Sequence, residues 1–156
     1  MTRLMVLCAT LVAFVGITSA QAPKAPPAAA NAMERVQGIG GFFFRAKAPK
    51  ALAQWYADHL GVTLTPPDYG HEPWQQAAGP TVFEPFSADS TFFGGAEQHF
   101  MLNFRVRSLD AMVAQLRRAG IAVDVDPQKY PNGVFARLSD PEGNPIQLWQ
   151  PQRNSR

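Results

Sequence analysis

The sequence contains a single cysteine, Cys8, which lies within residues 1–20. If that segment is removed, the chain can form no disulfide and has no thiol nucleophile. A block of basic residues is also lacking, and the formal net charge is only +2. Nucleic acid is therefore not expected as a partner. No apolar run reaches the roughly 20 residues that a membrane-spanning helix needs.

The N-terminal segment has the three parts of a secretory signal. Residues 1–3 carry positive charge, residues 4–17 are almost entirely apolar, and residues 18–20 are small. This pattern predicts a signal peptide over residues 1–20, cleavage after Ala20, and a periplasmic or secreted protein. The alternative is that the segment is retained as a membrane anchor.

The segment after the signal is rich in alanine and proline. Residues 21–35 lack the apolar content to build a core, so we expect them to form a disordered tether. The folded domain is predicted over residues 36–152.

An internal repeat divides this domain. Phe44-Arg45 recurs as Phe104-Arg105, and each pair precedes a helical pattern that ends in a glycine. Three strand-like runs follow each helix, so each half has the order β-α-β-β-β. Module one should span about residues 36–90 and module two about residues 98–152.

Both helices carry recognisable end signals. The first is predicted to start at Pro49 and to end before Gly61, and the second to follow an N-cap at Ser108 and to end before Gly120. Each helix covers one face of a sheet, and the other face needs a partner. We therefore predict an α+β fold, in which two modules form a curved eight-stranded sheet around a cavity, with the helices outside.

Alternation along the predicted first strand of each module separates a cavity side from a helix side. His99, Met101, Asn103 and Arg105 form the mixed set that should face inward. In module one, Gly41, Phe43 and Arg45 occupy the corresponding side. The apolar residues that alternate with these sets should lie under the helices: Phe42, Phe44 and Ala46 in module one, and Phe100, Leu102, Phe104 and Val106 in module two. The alternative for the two arginines is that they lie at strand ends and meet solvent.

Three segments resemble a known superfamily. "PKALAQWYADHLGV", "FRVRSLDAMVAQLRRAGI" and "DPEGNPIQLWQP" are similar to segments of the vicinal oxygen chelate group. That group includes glyoxalase I, bleomycin-resistance proteins and extradiol dioxygenases. The resemblance covers residues 38–152 and implies the fold predicted above, but not the reaction.

The resemblance also implies where a metal would bind. In the metal-dependent members four inward positions hold a divalent ion, and these positions fall here on Gly41, Glu84, Met101 and Gln147. Glycine has no ligand atom, and a thioether and a neutral amide are poor ligands for hard or borderline ions. We therefore predict no metal cofactor. The alternative is a register shift of two residues that brings His99 inward in place of Met101.

Glu84 is the candidate catalytic residue, as a general base or as an anchor for an amine. The alternative is that Pro85 bends the strand and turns Glu84 outward. The predicted ligand-binding residues would supply apolar, stacking and polar contacts. They are Phe43, Phe83, His99, Met101, Asn103, Gln147 and Trp149.

These features predict an exported protein, either a binding protein or a cofactor-free enzyme, that binds a small organic molecule in the sheet cavity without a metal ion. A metal-dependent lyase or isomerase of the glyoxalase I type is the first alternative, and a structural or partner-binding module is the second. Neither nucleic acid nor, after signal removal, a membrane is an expected partner. A homodimer is compatible with the resemblance.

Overall fold

The computed structural model describes residues 35–152. The predicted signal peptide and almost all of the predicted tether lie outside these residues. The chain divides into two compact units between Gly41 and Phe42. No helix within the described range is long and apolar enough to cross a membrane.

The second unit contains two helices and one mixed sheet. The elements are α1 (Pro49–Leu60), β1 (Leu102–Arg105), α2 (Leu109–Arg118), β2 (Asp124–Val125), β3 (Gly133–Ser139) and β4 (Pro145–Pro151). The strand order is β1-β4-β3-β2, with β1 parallel to β4 and the other pairs antiparallel. The α+β class and the β-α-β-β-β order of module two are therefore as predicted.

The helix ends follow the local sequence signals. Proline at the first position of α1 needs no hydrogen-bond partner for its nitrogen, and Gly61 closes the helix with a left-handed φ of 70°. At α2, the Ser108 hydroxyl accepts a hydrogen bond from the Ala111 N–H at 3.3 Å. The predicted starts at Pro49 and Ser108 are confirmed.

Both helices contribute to one hydrophobic core on a single face of the sheet. Leu52 and Tyr56 of α1 and Leu109, Val113 and Leu116 of α2 are buried in it. The sheet contributes Ala136, Leu138, Ile146 and Leu148. Phe44, Leu102, Phe104 and Val106, which alternation placed on the helix side, pack against this core as predicted.

The turn between β3 and β4 fastens α1 to the second half of the chain. Asp140 is 5% exposed, and its carboxylate accepts hydrogen bonds from the Glu142 and Asn144 N–H groups. It also accepts the Tyr56 hydroxyl at 2.9 Å. The Glu142 carboxylate accepts the N–H groups of residues 47 and 48, directly before α1, at 2.8 Å each.

The first half differs from the prediction. Its four expected strands, the first at about residues 41–46 and the later runs at 62–65, 73–78 and 80–86, form no hydrogen-bonded ladder, so the sheet of the described chain has four strands and not eight. Val82 is 67% exposed, and Pro85 lies within the last of the three runs and offers no N–H to a ladder. A strand-like pattern becomes a strand only where another strand supplies its hydrogen-bond partners.

Candidate functional site

A row of polar side chains crosses the sheet on the face opposite the core, which we call the open face. Asn103 of β1 pairs with Gln147 of β4, Gln147 with Arg137 of β3, and Arg137 with Asp124 of β2. Residues paired across strands lie on the same face, with their Cβ atoms about 5 Å apart. The Asn103 amide donates to the Gln147 side-chain oxygen at 2.6 Å.

An aromatic row lies directly beside the polar row. Trp149 pairs with Phe135 across β4 and β3, and the two rings stack at 6.2 Å with an interplanar angle of 6°. Tyr130 meets Phe135 edge-on at 5.6 Å. The Trp149 indole N–H donates to the Asn132 carbonyl at 2.9 Å, and Trp149 is only 7% exposed. Its ring therefore forms the floor of the site and is not a free stacking platform.

A glycine makes this aromatic packing possible. Gly133 has a φ of +139°, and a Cβ atom there would overlap the Gln150 carbonyl oxygen and crowd the Trp149 indole nitrogen. Only glycine tolerates both the backbone conformation and the close approach.

The open face also holds a segment of the first half. The Arg105 guanidinium donates to the carbonyls of Ala77 and Ala78, at 2.8 and 3.2 Å. Arg105 therefore has backbone partners and does not simply meet solvent, which was the alternative for this residue. Residues 77–78 are held beside β1 as a result.

An open cleft of about 680 Å³ adjoins the polar row. Residues 91–94 form one wall and residues 121–124 another, with Met101, Arg137 and the start of β4 between them. The Arg137 guanidinium donates to the Phe92 carbonyl at 3.1 Å and lies 4.3 Å from the centre of the Phe92 ring. The Phe92 ring itself stacks on Phe86 at 4.8 Å.

One titratable group at the edge of the aromatic row is perturbed. The Tyr130 hydroxyl donates to the Asp126 carboxylate at 3.0 Å. This hydrogen bond, with a smaller effect of desolvation, raises the pKa of Tyr130 above its ordinary value. Tyr130 is therefore neutral at physiological pH and acts as a hydrogen-bond donor.

The structure brings half of the predicted site residues together. Asn103, Gln147 and Trp149 lie in the two rows, and Met101 lines the cleft. Phe43 and Phe83 are instead 94% and 85% exposed, and Glu84 and His99 are also exposed. Burial of Glu84 among apolar side chains, on which its proposed role as a base depends, is thus not observed.

Sequence reasoning missed Arg137, Asp124 and Phe135. The signal was present, because alternation along "GVFARLS" places Phe135 and Arg137 on the same side of β3. Applying the alternation to β3 as well as to the first strands would have found both. The role of Phe92 could not be found in this way, since its contact with Arg137 joins positions 45 residues apart.

The residues at the four family metal positions do not suit a hard or borderline cation. The Gln147 amide oxygen already accepts the Asn103 amide, and Met101 offers only a thioether. Glu84 is the one carboxylate of the set, and it is exposed. Catalytic metal sites usually have at least three protein ligands of oxygen or nitrogen. This donor set therefore supports no metal-dependent step.

The chain was compared with known proteins. A family model described as a glyoxalase-like domain matches residues 41–149. No curated protein matches the chain.

Three solved structures illustrate the similarity. TnmS3, an antibiotic binding protein from Streptomyces sp. CB03234, is 27% identical, with a TM-score of 0.50; the match covers 77% of this chain and 100% of that one. A glyoxalase/bleomycin resistance protein from the same organism is 42% identical over 33% of this chain, with a TM-score of 0.30. This match spans only 46% of that protein. A glyoxylase/bleomycin resistance protein/dioxygenase domain from Frankia sp. EAN1pec is 23% identical, with 40% and 53% coverage and a TM-score of 0.31.

Proposed function

The chain belongs to the glyoxalase-like domain family, within the vicinal oxygen chelate superfamily, and we propose that it binds a small organic molecule on the open face of its sheet without a metal ion. The observation that carries this proposal is the polar row from Asn103 to Asp124 beside the stacked Trp149 and Phe135. Polar groups at fixed positions among apolar walls are the usual composition of a small-molecule site.

Each part of the open face has a role in this proposal. The aromatic row supplies a rigid apolar floor, because its rings hold one another and the indole N–H is already bonded. The polar row supplies orientation, since the amide of Gln147 and the guanidinium of Arg137 offer N–H donors beside that floor. The role of the site is to bind and orient a ligand.

The similarity to TnmS3 supports binding over catalysis. That protein is described as an antibiotic binding protein, and its whole length is covered by the match. We propose that the present chain likewise sequesters or carries an organic compound. The alternative of a metal-dependent lyase or isomerase would require ligands that the four family positions lack.

The proposed ligand can be identified by native mass spectrometry of the protein purified from its own host. We expect a bound organic molecule and no divalent ion. Gln147→Ala should weaken its binding, since the polar row loses its central member. Gln54→Ala, on the outer side of α1 with a hydrogen bond only to Asp58, is the matched control and should bind normally. Equal affinity in both variants would place the ligand elsewhere.

A metal titration tests the alternative function. Zn²⁺, Mn²⁺, Ni²⁺, Fe²⁺ or Mg²⁺ is added to chelator-treated protein, and binding is measured by calorimetry. We expect no tight binding. Micromolar or tighter binding that disappears in Glu84→Ala would establish the metal-dependent alternative instead.

We further propose that the first half completes an eight-stranded sheet, either within one chain or by exchange between two chains. The support is the apolar surface that its extended segments leave exposed: Phe42, Phe43, Leu64, Val82, Phe83 and Phe86. Exposed apolar side chains that form a patch commonly mark an interaction surface. Sedimentation analysis of wild type and Phe83→Asp tests the exchange. A dimer that dissociates in the variant supports it, and a monomeric wild type excludes it.

Export also remains a proposal. N-terminal sequencing of the secreted or periplasmic protein should begin at or near Gln21, because residues 18–20 resemble a signal cleavage site. Mature protein that still starts at Met1 would contradict it.

A further inference from the structure

We propose that the cleft beside the polar row selects an aromatic carboxylate that also carries an N–H donor, with Arg137 binding the carboxylate and Asp124 accepting the N–H. This inference rests on the proposed function, because Arg137 and Asp124 of the polar row line the cleft. It adds the chemical class of the ligand and names two recognition residues.

Two opposite charges line the cleft without forming a salt bridge. Asp124 and Arg137 are paired across β2 and β3, a position in which opposite charges attract each other. The salt bridge found in residues 35–152 joins His71 to Asp68, and none joins Asp124 to Arg137. Both residues line the cleft. The cleft therefore contains a guanidinium and a carboxylate that form no salt bridge with each other, so both can bind a ligand.

Arg137 is held on one side by Phe92. One of its N–H groups donates to the Phe92 carbonyl, and its guanidinium lies 4.3 Å from the centre of the Phe92 ring. The other N–H groups have no hydrogen-bond partner among the described residues. An arginine fixed on one side keeps a planar fork of donors on the other, which matches the two oxygens of a carboxylate.

A ligand that satisfies both charges needs an anionic group and a hydrogen-bond donor. A ligand with a carboxylate alone would be attracted by Arg137 and repelled by Asp124. An amino group next to the carboxylate removes this conflict, because Asp124 is an acceptor only. Phe93 and Met101 line the same cleft and provide apolar contact for a flat ring. An aromatic amino carboxylate combines these three features.

The test uses three probes. Anthranilate carries both groups, benzoate lacks the amino group, and aniline lacks the carboxylate. We expect anthranilate to bind wild type most tightly in a fluorescence or NMR titration. Arg137→Gln should weaken anthranilate binding about tenfold, the loss typical of one charge-assisted contact, without changing the weak binding of aniline. Asp124→Ala should weaken binding of anthranilate but not of benzoate.

Arg107→Gln is the matched control, since Arg107 is exposed, lies outside the cleft, and makes no side-chain hydrogen bond within residues 35–152. Its anthranilate affinity should equal that of wild type. Equal affinity in Arg137→Gln overturns the inference, and the proposed function stands if Gln147→Ala still weakens binding. Failure of wild type to bind anthranilate also overturns the inference. The proposed function is contradicted as well only if protein purified from the host carries no organic molecule.

Discussion

The two halves of this chain have similar element patterns and different structures. Each has a helix that ends before a glycine and three strand-like runs behind it. In the second half the runs form β2, β3 and β4, and the first half forms only its helix. The difference teaches that a helix can form from local signals, whereas a strand depends on what lies beside it.

The second half forms a sheet because β2, β3 and β4 follow one another closely in the sequence. A turn of five residues, 140–144, joins β3 to β4, and the buried carboxylate of Asp140 holds that turn. Strand β1 then adds to β4 in parallel, and α2 covers the pair. The first half has no such turn, and the unused apolar side chains of its runs lie exposed.

The largest expected effect is the difference in stability loss between two leucine-to-alanine variants, one in each half. Leu148→Ala removes a side chain with no exposed surface and should lower the free energy of unfolding by about 2–5 kcal/mol. Leu64→Ala removes a side chain that is 48% exposed, so its cost separates two states: less than about 1 kcal/mol where the first half forms no ladder, and more where the proposed eight-stranded sheet covers the residue. Urea unfolding of both variants measures the difference. Similar losses would show that the first half is packed in solution, as the proposed eight-stranded sheet requires.

An intermediate effect is expected at the contact between the halves. Tyr56→Phe deprives the buried Asp140 carboxylate of one donor and should lower the free energy of unfolding by about 1–3 kcal/mol at neutral pH. Phenylalanine keeps the ring in the core, so the loss reports the hydrogen bond. Asp58→Asn, at an exposed position of the same helix, is the control and should leave stability nearly unchanged.

The same contact has a defined pH dependence. Burial, and then the hydrogen bond to Asp140, raise the pKa of Tyr56 well above its ordinary value. The unfolded chain loses this proton near pH ~10 while the folded chain keeps it. The stabilisation is therefore fully present below pH ~10 and declines as the pH rises further. Wild type should lose stability above pH ~10 more steeply than Tyr56→Phe, and parallel profiles would contradict the assignment.

The smallest effect is a local one within the first half. The hydrogen bond from His71 to Asp68, and then the Gly70 N–H, lower the pKa of Asp68 below its ordinary value. Carbon-detected NMR of the Asp68 carboxyl should show this, and in His71→Ala the pKa should rise only part of the way, because Gly70 still donates. A carboxyl group whose pKa is lowered on folding stabilises the folded state above the pKa of the unfolded chain. This stabilisation is lost on acidification. Both side chains are more than half exposed, so no change in melting temperature is expected.

The candidate site shows which side-chain positions could be predicted from residue patterns and which could not. Alternation placed Asn103 on the inward side of its strand, and the family resemblance placed Gln147 inward; the structure joins their amides. Trp149 was predicted to bind the ligand, but its bond to the Asn132 carbonyl and its stacking on Phe135, which bury the ring, depend on how the neighbouring strand turns. The expectation for Glu84 relied on a strand that does not form, and its exposure follows from that.

The sequence by itself determined the two helices with their caps, the four strands of the second half, and the membership of the family. These features depend on local periodicity, on proline and glycine at defined positions, and on side chains a few residues apart. Only the tertiary structure decided that the first half forms no ladder and that Arg137 turns to Phe92 and not to Asp124. Hydrogen-bond partners and cross-strand charges compete over distances in the chain that no local pattern records.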